Sequence, residues 1–174
     1  MKDIQIRPVE TEDCTSLFNV IEKNRERLIT YFPKTSRSIK DLEATKKFIK
    51  QKVKQGLQKE QFCFVIAPSS KAEIIGMVMI KNIDWTIPKG ELAYFIDEDF
   101  EGMGITSNAV KWVVEFCFEQ LEMEKLYIKF NPENTGSKKV AINNGFEKEG
   151  FLKREFRTGN GKLTDVERYG LLKK

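Results

Sequence analysis

A chain of 174 residues with no histidine, and with 30 basic against 26 acidic residues, excludes an imidazole-based catalytic triad and every metal site that needs a histidine. Hydrophobic residues at 40% and charged residues at 32% suit a soluble globular domain spanning 1–174, and a net charge of +4 favours an anionic cofactor without marking a nucleic-acid binder. No run approaches the roughly 18 apolar residues of a membrane span, no apolar signal core opens the chain, and Cys14, Cys63 and Cys117 suit reduced thiols, so no membrane partner and a cytoplasmic location are expected.

Alternation over Lys2–Arg7 predicts a first strand, stopped by Pro8. Leu17, Ile21 and Leu28 fall at helical spacing and predict a helix from about Glu12 to Leu28. Ser38 followed by Asp41 resembles a capping box and opens a second helix, whose apolar stripe is Leu42, Ile49, Val53 and Leu57 and whose end lies near Gly56. Seven lysines (40, 46, 47, 50, 52, 54 and 59) mark this region, a solvated face that could also steer an acidic partner. Gln61–Ala67 and Ile74–Trp85 read as strands joined by a turn at Pro68-Ser69-Ser70-Lys71, and Glu91–Ile96 as the next strand.

Helical spacing resumes from about Thr106 to Leu121, apolar nearly all round except for Lys111, Glu115, Glu119 and Glu122. Leu126–Phe130 follows as a buried strand and Thr135–Asn143 as a short helix. Phe146–Phe156 and Val166–Leu172 close the chain as a hairpin around Gly159-Asn160-Gly161-Lys162. Strands and helices alternating in this way predict an α+β or mixed α/β architecture around one central sheet.

The most informative stretch joins Ile96 to Thr106. Gly102 and Gly104 let the backbone approach a ligand closely, and the helix behind them offers unpaired N–H groups at the positive end of its dipole. Such a loop is a seat for phosphates, or simply a tight turn. Neither the third glycine of a dinucleotide fingerprint nor the Gly-Lys-Ser/Thr of a Walker loop is present.

In this order, strand, Glu101-Gly102-Met103-Gly104-Ile105-Thr106, helix, strand, Asn134-Thr135-Gly136-Ser137, helix and Asn144-Gly145-Phe146 resemble the GNAT superfamily of acetyl-CoA-dependent N-acetyltransferases. Ile6-Arg7-Pro8, Asn24-Arg25-Glu26-Arg27-Leu28 and Ile83-Asp84-Trp85 extend the likeness to the branch of RimJ/RimL ribosomal-protein acetyltransferases. The resemblance implies a GNAT fold, a mixed and mostly antiparallel central sheet flanked by helices. It implies acetyl-CoA as cosubstrate, no metal, and direct attack by a primary amine. Phe95 and Ile96 would bind the acetyl end through backbone, with Gly102, Met103, Gly104, Ile105, Thr106 and Ser107 around the pyrophosphate and Asn134 on the pantetheine. Glu101 stands where the family has Gln or Arg and would turn its carboxylate away.

The tyrosine that many members use as general acid falls at Ala141; the RimJ/RimL branch assigns that role to a serine three residues after the asparagine, which the resemblance places at Ser137, with capping of the short helix as the alternative. Glu155 and Glu91 are the candidate bases, with an ordinary surface position as the alternative for each. Asn24, Arg25, Tyr31, Phe32 and Trp85 would shape the acceptor cleft, the aromatics having core packing as their other use. The favoured acceptor is a protein N-terminus such as that of a ribosomal protein. Small-amine or antibiotic acetylation and a non-catalytic acyl-CoA sensor are the rivals, and homodimerisation is left open.

Overall fold

The computed structural model describes residues 4–69 and 73–174, so Lys2 and the Ser70-Lys71 part of the expected turn lie outside the described residues. One seven-stranded sheet carries the fold: β1 (Ile4–Pro8), β2 (Phe62–Pro68), β3 (Gly76–Asp84), β4 (Lys89–Ile96), β5 (Lys125–Phe130), β6 (Glu147–Arg157) and β7 (Leu163–Leu172), in the order β1-β2-β3-β4-β5-β7-β6. Every neighbouring pair is antiparallel except β4 with β5, and that pair is joined through a helix as parallel strands require. The sheet is mixed and mostly antiparallel, as the resemblance implies.

Alternation along the strands sends their side chains into two apolar clusters. On one face Val78, Ile80, Leu92, Tyr94, Leu126, Ile128 and Tyr169 meet α5 (Ile105–Glu119) and α6 (Thr135–Asn143) through Ala109, Val110, Val113, Cys117 and Ala141. On the other, Cys63, Val65, Met77, Met79 and Phe95 meet α1 (Cys14–Lys23), α2 (Arg25–Tyr31) and α4 (Leu42–Leu57) through Leu17, Val20, Ile21, Leu28, Phe48 and Ile49. Among the described residues, none of β5, β6 or β7 belongs to this second cluster. That end of the second face carries Lys125, Tyr127, Lys129 and Arg168 instead.

The front helices depart from the sequence reading. Asn24 interrupts the expected first helix, because its side chain turns back to the Val20 carbonyl (2.9 Å) and its backbone leaves the helical region, φ −102° and ψ 13°. A short helix not expected, α3 (Pro33–Ser38), begins with proline at its first turn, where a missing N–H costs nothing. Ser38 closes α3, and Asp41 alone caps α4 by accepting from the Ala44 N–H at 2.7 Å. Of the expected α4 stripe only Ile49 is buried; Leu42, Val53 and Leu57 are exposed, and Thr45 and Phe48 face the sheet in their place. The helix ends at Leu57, shortly after Gly56, as the sequence reading has it.

The β6–β7 hairpin reaches across the second face to the front helices. Arg37 Nη2 donates to the Gly159 carbonyl at 2.8 Å, and Gly159 lies so close to α2 that a Cβ there would stand 2.1 Å from the Ile29 carbonyl oxygen. The clash is with backbone, so Gly159→Ala is expected to undock the tip and cost about 1–3 kcal/mol. Thermal unfolding followed by circular dichroism should show Tm falling by several degrees.

Candidate active site

The parallel pair at the centre of the sheet is short. β4 and β5 are in register only from Lys89–Lys125 to Leu92–Ile128. Beyond that, Ala93 to Ile96 pair with β3, while Lys129 and Phe130 pair with β7, so the two strands part and leave a slot in the middle of the sheet. The Asp97 N–H is spent on the Ile75 carbonyl at 2.7 Å. Because successive backbone groups of a strand point to opposite sides, Tyr94 and Ile96 turn their N–H groups to the slot, and Phe95 turns its own towards β3. Of the two residues expected to meet the acetyl end, Ile96 therefore offers its N–H to the slot, as Tyr94 does, and Phe95 does not.

The glycine loop sits past the end of β4. Gly102 and Gly104 have φ of +72° and +75°, and nothing lies within 4 Å of where a Cβ would stand at either. Gly104 is the N-cap of α5, so Ile105, Thr106 and Ser107 are the first-turn residues whose N–H groups precede the helical ladder. Met103 beside them is exposed. The Glu101 carboxylate accepts from Arg27 Nη1 of α2. Arg27 also donates to the Ile96 carbonyl at 2.6 Å, and Lys23 binds Asp97 at 2.8 Å and Asp99 at 2.5 Å. Burial opposes the charge on Asp97, but the bonds from Lys23 and neighbouring groups outweigh it and hold the carboxyl below its ordinary range. These contacts clamp the loop to α1 and α2.

Across the slot stands the start of α6. Asn134 Oδ1 accepts from the Ser137 N–H at 2.9 Å, an N-cap. The Ser137 carbonyl accepts from the Tyr94 hydroxyl at 3.2 Å, which ties α6 to β4, and the Ser137 side chain interacts with the same phenol. Burial pushes the Tyr94 phenol well above its usual range, so it acts as a fixed donor. Ala141 is fully buried against the sheet, and the tyrosine position of the family therefore offers no group to the slot.

On the second face of the sheet the two candidate carboxylates lie within reach of one lysine. Glu91 is 4% exposed; it accepts from Asn82 Nδ2 at 2.8 Å and pairs with Lys81 at 3.2 Å and Lys129 at 3.7 Å. Lys129 reaches Glu155 at 3.4 Å. Burial and the nearby Glu91 charge push the Tyr127 phenol up, and the Arg168 guanidinium lies 4.1 Å over its ring. Asn82 sits at a β-bulge with φ +51°, a backbone state that asparagine tolerates, and the bulge turns its amide to Glu91. Arg154, φ +52°, marks a second irregularity beside Glu155. Sequence reading missed Asn82, Tyr127 and Lys129. Their signals were an amide inside an apolar strand and the strict alternation of Lys125, Tyr127 and Lys129 with Leu126, Ile128 and Phe130.

The proposed cleft residues fall into three groups. Tyr31 is exposed at the end of α2, and Phe32 packs edge-on against Phe95 with ring centroids 5.8 Å apart, fixing the α2–α3 corner to β4. Asn24 is buried and accepts from the Glu98 N–H at 3.1 Å, while Arg25 donates to the Ser36 and Ile39 carbonyls at 2.8 and 2.6 Å; both brace the cleft wall. Trp85 stands in the β3–β4 turn, at the other end of β4 from the loop, its indole donating to the Lys59 carbonyl at 2.9 Å.

A parted parallel pair with a glycine-capped helix at its mouth and a second capped helix across it is the arrangement expected of an acyltransferase of this fold. The chain belongs to the acetyltransferase (GNAT) domain family, whose pattern matches residues 3–147. It is 26% identical over 172 residues to the protein named Probable N-acetyltransferase YjcK of Bacillus subtilis strain 168, covering 98% of this chain and 94% of the relative. It is 24% identical over 169 residues to spermidine N(1)-acetyltransferase of Vibrio cholerae, covering 97% and 92%. Among solved structures, the ribosomal-protein-S5-alanine acetyltransferase of Vibrio fischeri superposes with a TM-score of 0.92 at 26% identity, covering 99% of this chain and 94% of that one. The protein is an acetyl-CoA-dependent N-acetyltransferase.

Proposed function

We propose that the acceptor is the N-terminal α-amine of a protein, and that residues 1–174 act as one catalytic unit. The observation that carries this reading is the charge balance of the acceptor face. Glu91 is paired with Lys81 and Lys129, Glu149 with Lys125 and Arg168, and Glu155 with Lys129. No carboxylate of this group is left over, and the cations exceed the anions. A polyamine brings several positive charges and would meet repulsion here, whereas a peptide terminus brings one, together with carbonyls that accept hydrogen bonds from such cations. The likeness to an enzyme named for a ribosomal-protein alanine supports the same acceptor.

The chemistry follows from the groups present. The neutral amine attacks the thioester carbonyl, the new C–N bond forms as the C–S bond breaks, and the oxygen that becomes negative is met by N–H groups of Tyr94 and Ile96. The departing thiolate takes the Ser137 hydroxyl proton, and the proton lost by nitrogen passes to Glu91 or Glu155 directly or through one water. An unperturbed α-amine titrates at about 7.7–8.0 and a lysine side chain at about 10.4, so a modest base suffices for the first and not for the second. Mass spectrometry on peptides with a free N-terminus and an internal lysine, mixed with spermidine, tests the assignment. Acetyl is expected on the α-amine; acetyl confined to lysine or spermidine would overturn it.

A further inference from the structure

Glu91 and Glu155 come from strands that are not neighbours. β4 lies beside β5, while β6 is separated from β5 by β7. One side chain spans that distance. Lys129, on β5, places its Nζ 3.7 Å from Glu91 Oε2 and 3.4 Å from Glu155 Oε1. It is paired in the ladder with Arg168 of β7, whose own guanidinium lies over Tyr127 and beside Glu149, and so is held away from both carboxylates.

The other groups around Glu91 do not make this link. Lys81 and Asn82, from β3, bond to Glu91. Tyr127, from β5, stands opposite Glu91 in the ladder with its phenol kept protonated. Lys125, also of β5, is bound to Glu149. Only Lys129, among the described residues, touches both candidate bases.

We propose that Lys129 is a positioning residue that joins Glu91 and Glu155 into one proton-accepting unit on the acceptor side of the slot. The inference rests on the acetyl-transfer reading and says which residue sets the base, whatever the amine. A cation a few ångströms from both carboxylates ties them together, and its long stem keeps the exposed β6 carboxylate over the same spot as the buried β4 one.

The test is a carboxyl-detected NMR spectrum of the unliganded protein, with kcat and KM measured beside it. In Lys129→Met the carboxyl signals of Glu91 and Glu155 are both expected to move, because the cation between them is gone. The value of kcat should fall by about tenfold or more while KM for acetyl-CoA stays in place. Lys129→Arg, which keeps the charge and the reach, should restore both. Lys81→Met, which removes a cation from Glu91 alone, should move the Glu91 signal and leave Glu155 in place. A Lys129→Met protein whose Glu155 signal is unmoved, or whose kcat is unchanged, would overturn the proposal. The spectrum needs no acceptor. Moved signals with no turnover on peptides would therefore overturn the acceptor assignment and leave the unit standing.

Discussion

Replacing Ser137 by alanine is expected to lower kcat by about 10²–10⁴-fold, the range that a positioned acid contributes. The substitution removes the hydroxyl and its interaction with the Tyr94 phenol and keeps the backbone contacts. Ser137 occupies the first turn of α6, where its N–H is held by Asn134 Oδ1 and its carbonyl by the Tyr94 hydroxyl, both backbone contacts that alanine keeps. Alanine is also the better helix former, so the fold should not suffer. Acetyl-CoA affinity measured by calorimetry is expected to stay within about twofold, a difference near 0.4 kcal/mol. The proposed role is that of proton donor to the CoA thiolate. A loss that appears in acetyl-CoA binding and not in kcat would make Ser137 a pantetheine contact, and Tyr94, whose hydroxyl already reaches this turn, would become the group to test as acid.

Gly104→Val is expected to weaken acetyl-CoA binding by about 100-fold, close to 2.8 kcal/mol. Two physical effects add. A β-branched residue at φ +75° is strained, by about 1–2 kcal/mol for the left-handed region, and its side chain would fill the open space in front of the first N–H groups of α5. Nothing of the protein lies within 4 Å of that Cβ, so the steric part falls on the ligand rather than on the core. Gly161→Val, at φ +88° in the distant β6–β7 turn and equally open, is the control for strain alone. Calorimetry on both folded variants separates the two effects. Equal CoA affinity in Gly104→Val and Gly161→Val would remove the loop from the cofactor site.

Much of the strand pattern was legible because period-2 alternation is a local property. β1, β2, β4, β5 and the closing hairpin stand within a few residues of their expected places. The glycine loop was equally readable: positive φ at Gly102 and Gly104 depends on the absence of a Cβ, which a sequence states outright. The front helices were less so. Asn24 breaks a helix that Leu17, Ile21 and Leu28 suggested was continuous, through a side-chain bond to Val20 and an acceptor role towards Glu98 far along the chain. The α4 stripe failed for a similar reason, since β2 and β3, and not the spacing of apolar residues alone, decide which side of that helix is covered.

By itself the sequence determined the element types, the left-handed glycines, the absence of imidazole chemistry and the resemblance that the family match bears out. Each of these depends on residues near one another in the chain or on composition. Tertiary structure alone decided that β4 and β5 part after Leu92–Ile128, that Arg27 binds the Glu101 carboxylate beside the glycine loop, and that Lys129 stands between Glu91 and Glu155. Those are contacts between residues tens of positions apart, set by sheet register and by bulges at Asn82 and Arg154 that turn side chains across strands. A one-residue change of register would send each of these side chains to the opposite face, and no local pattern records which register the folded chain adopts.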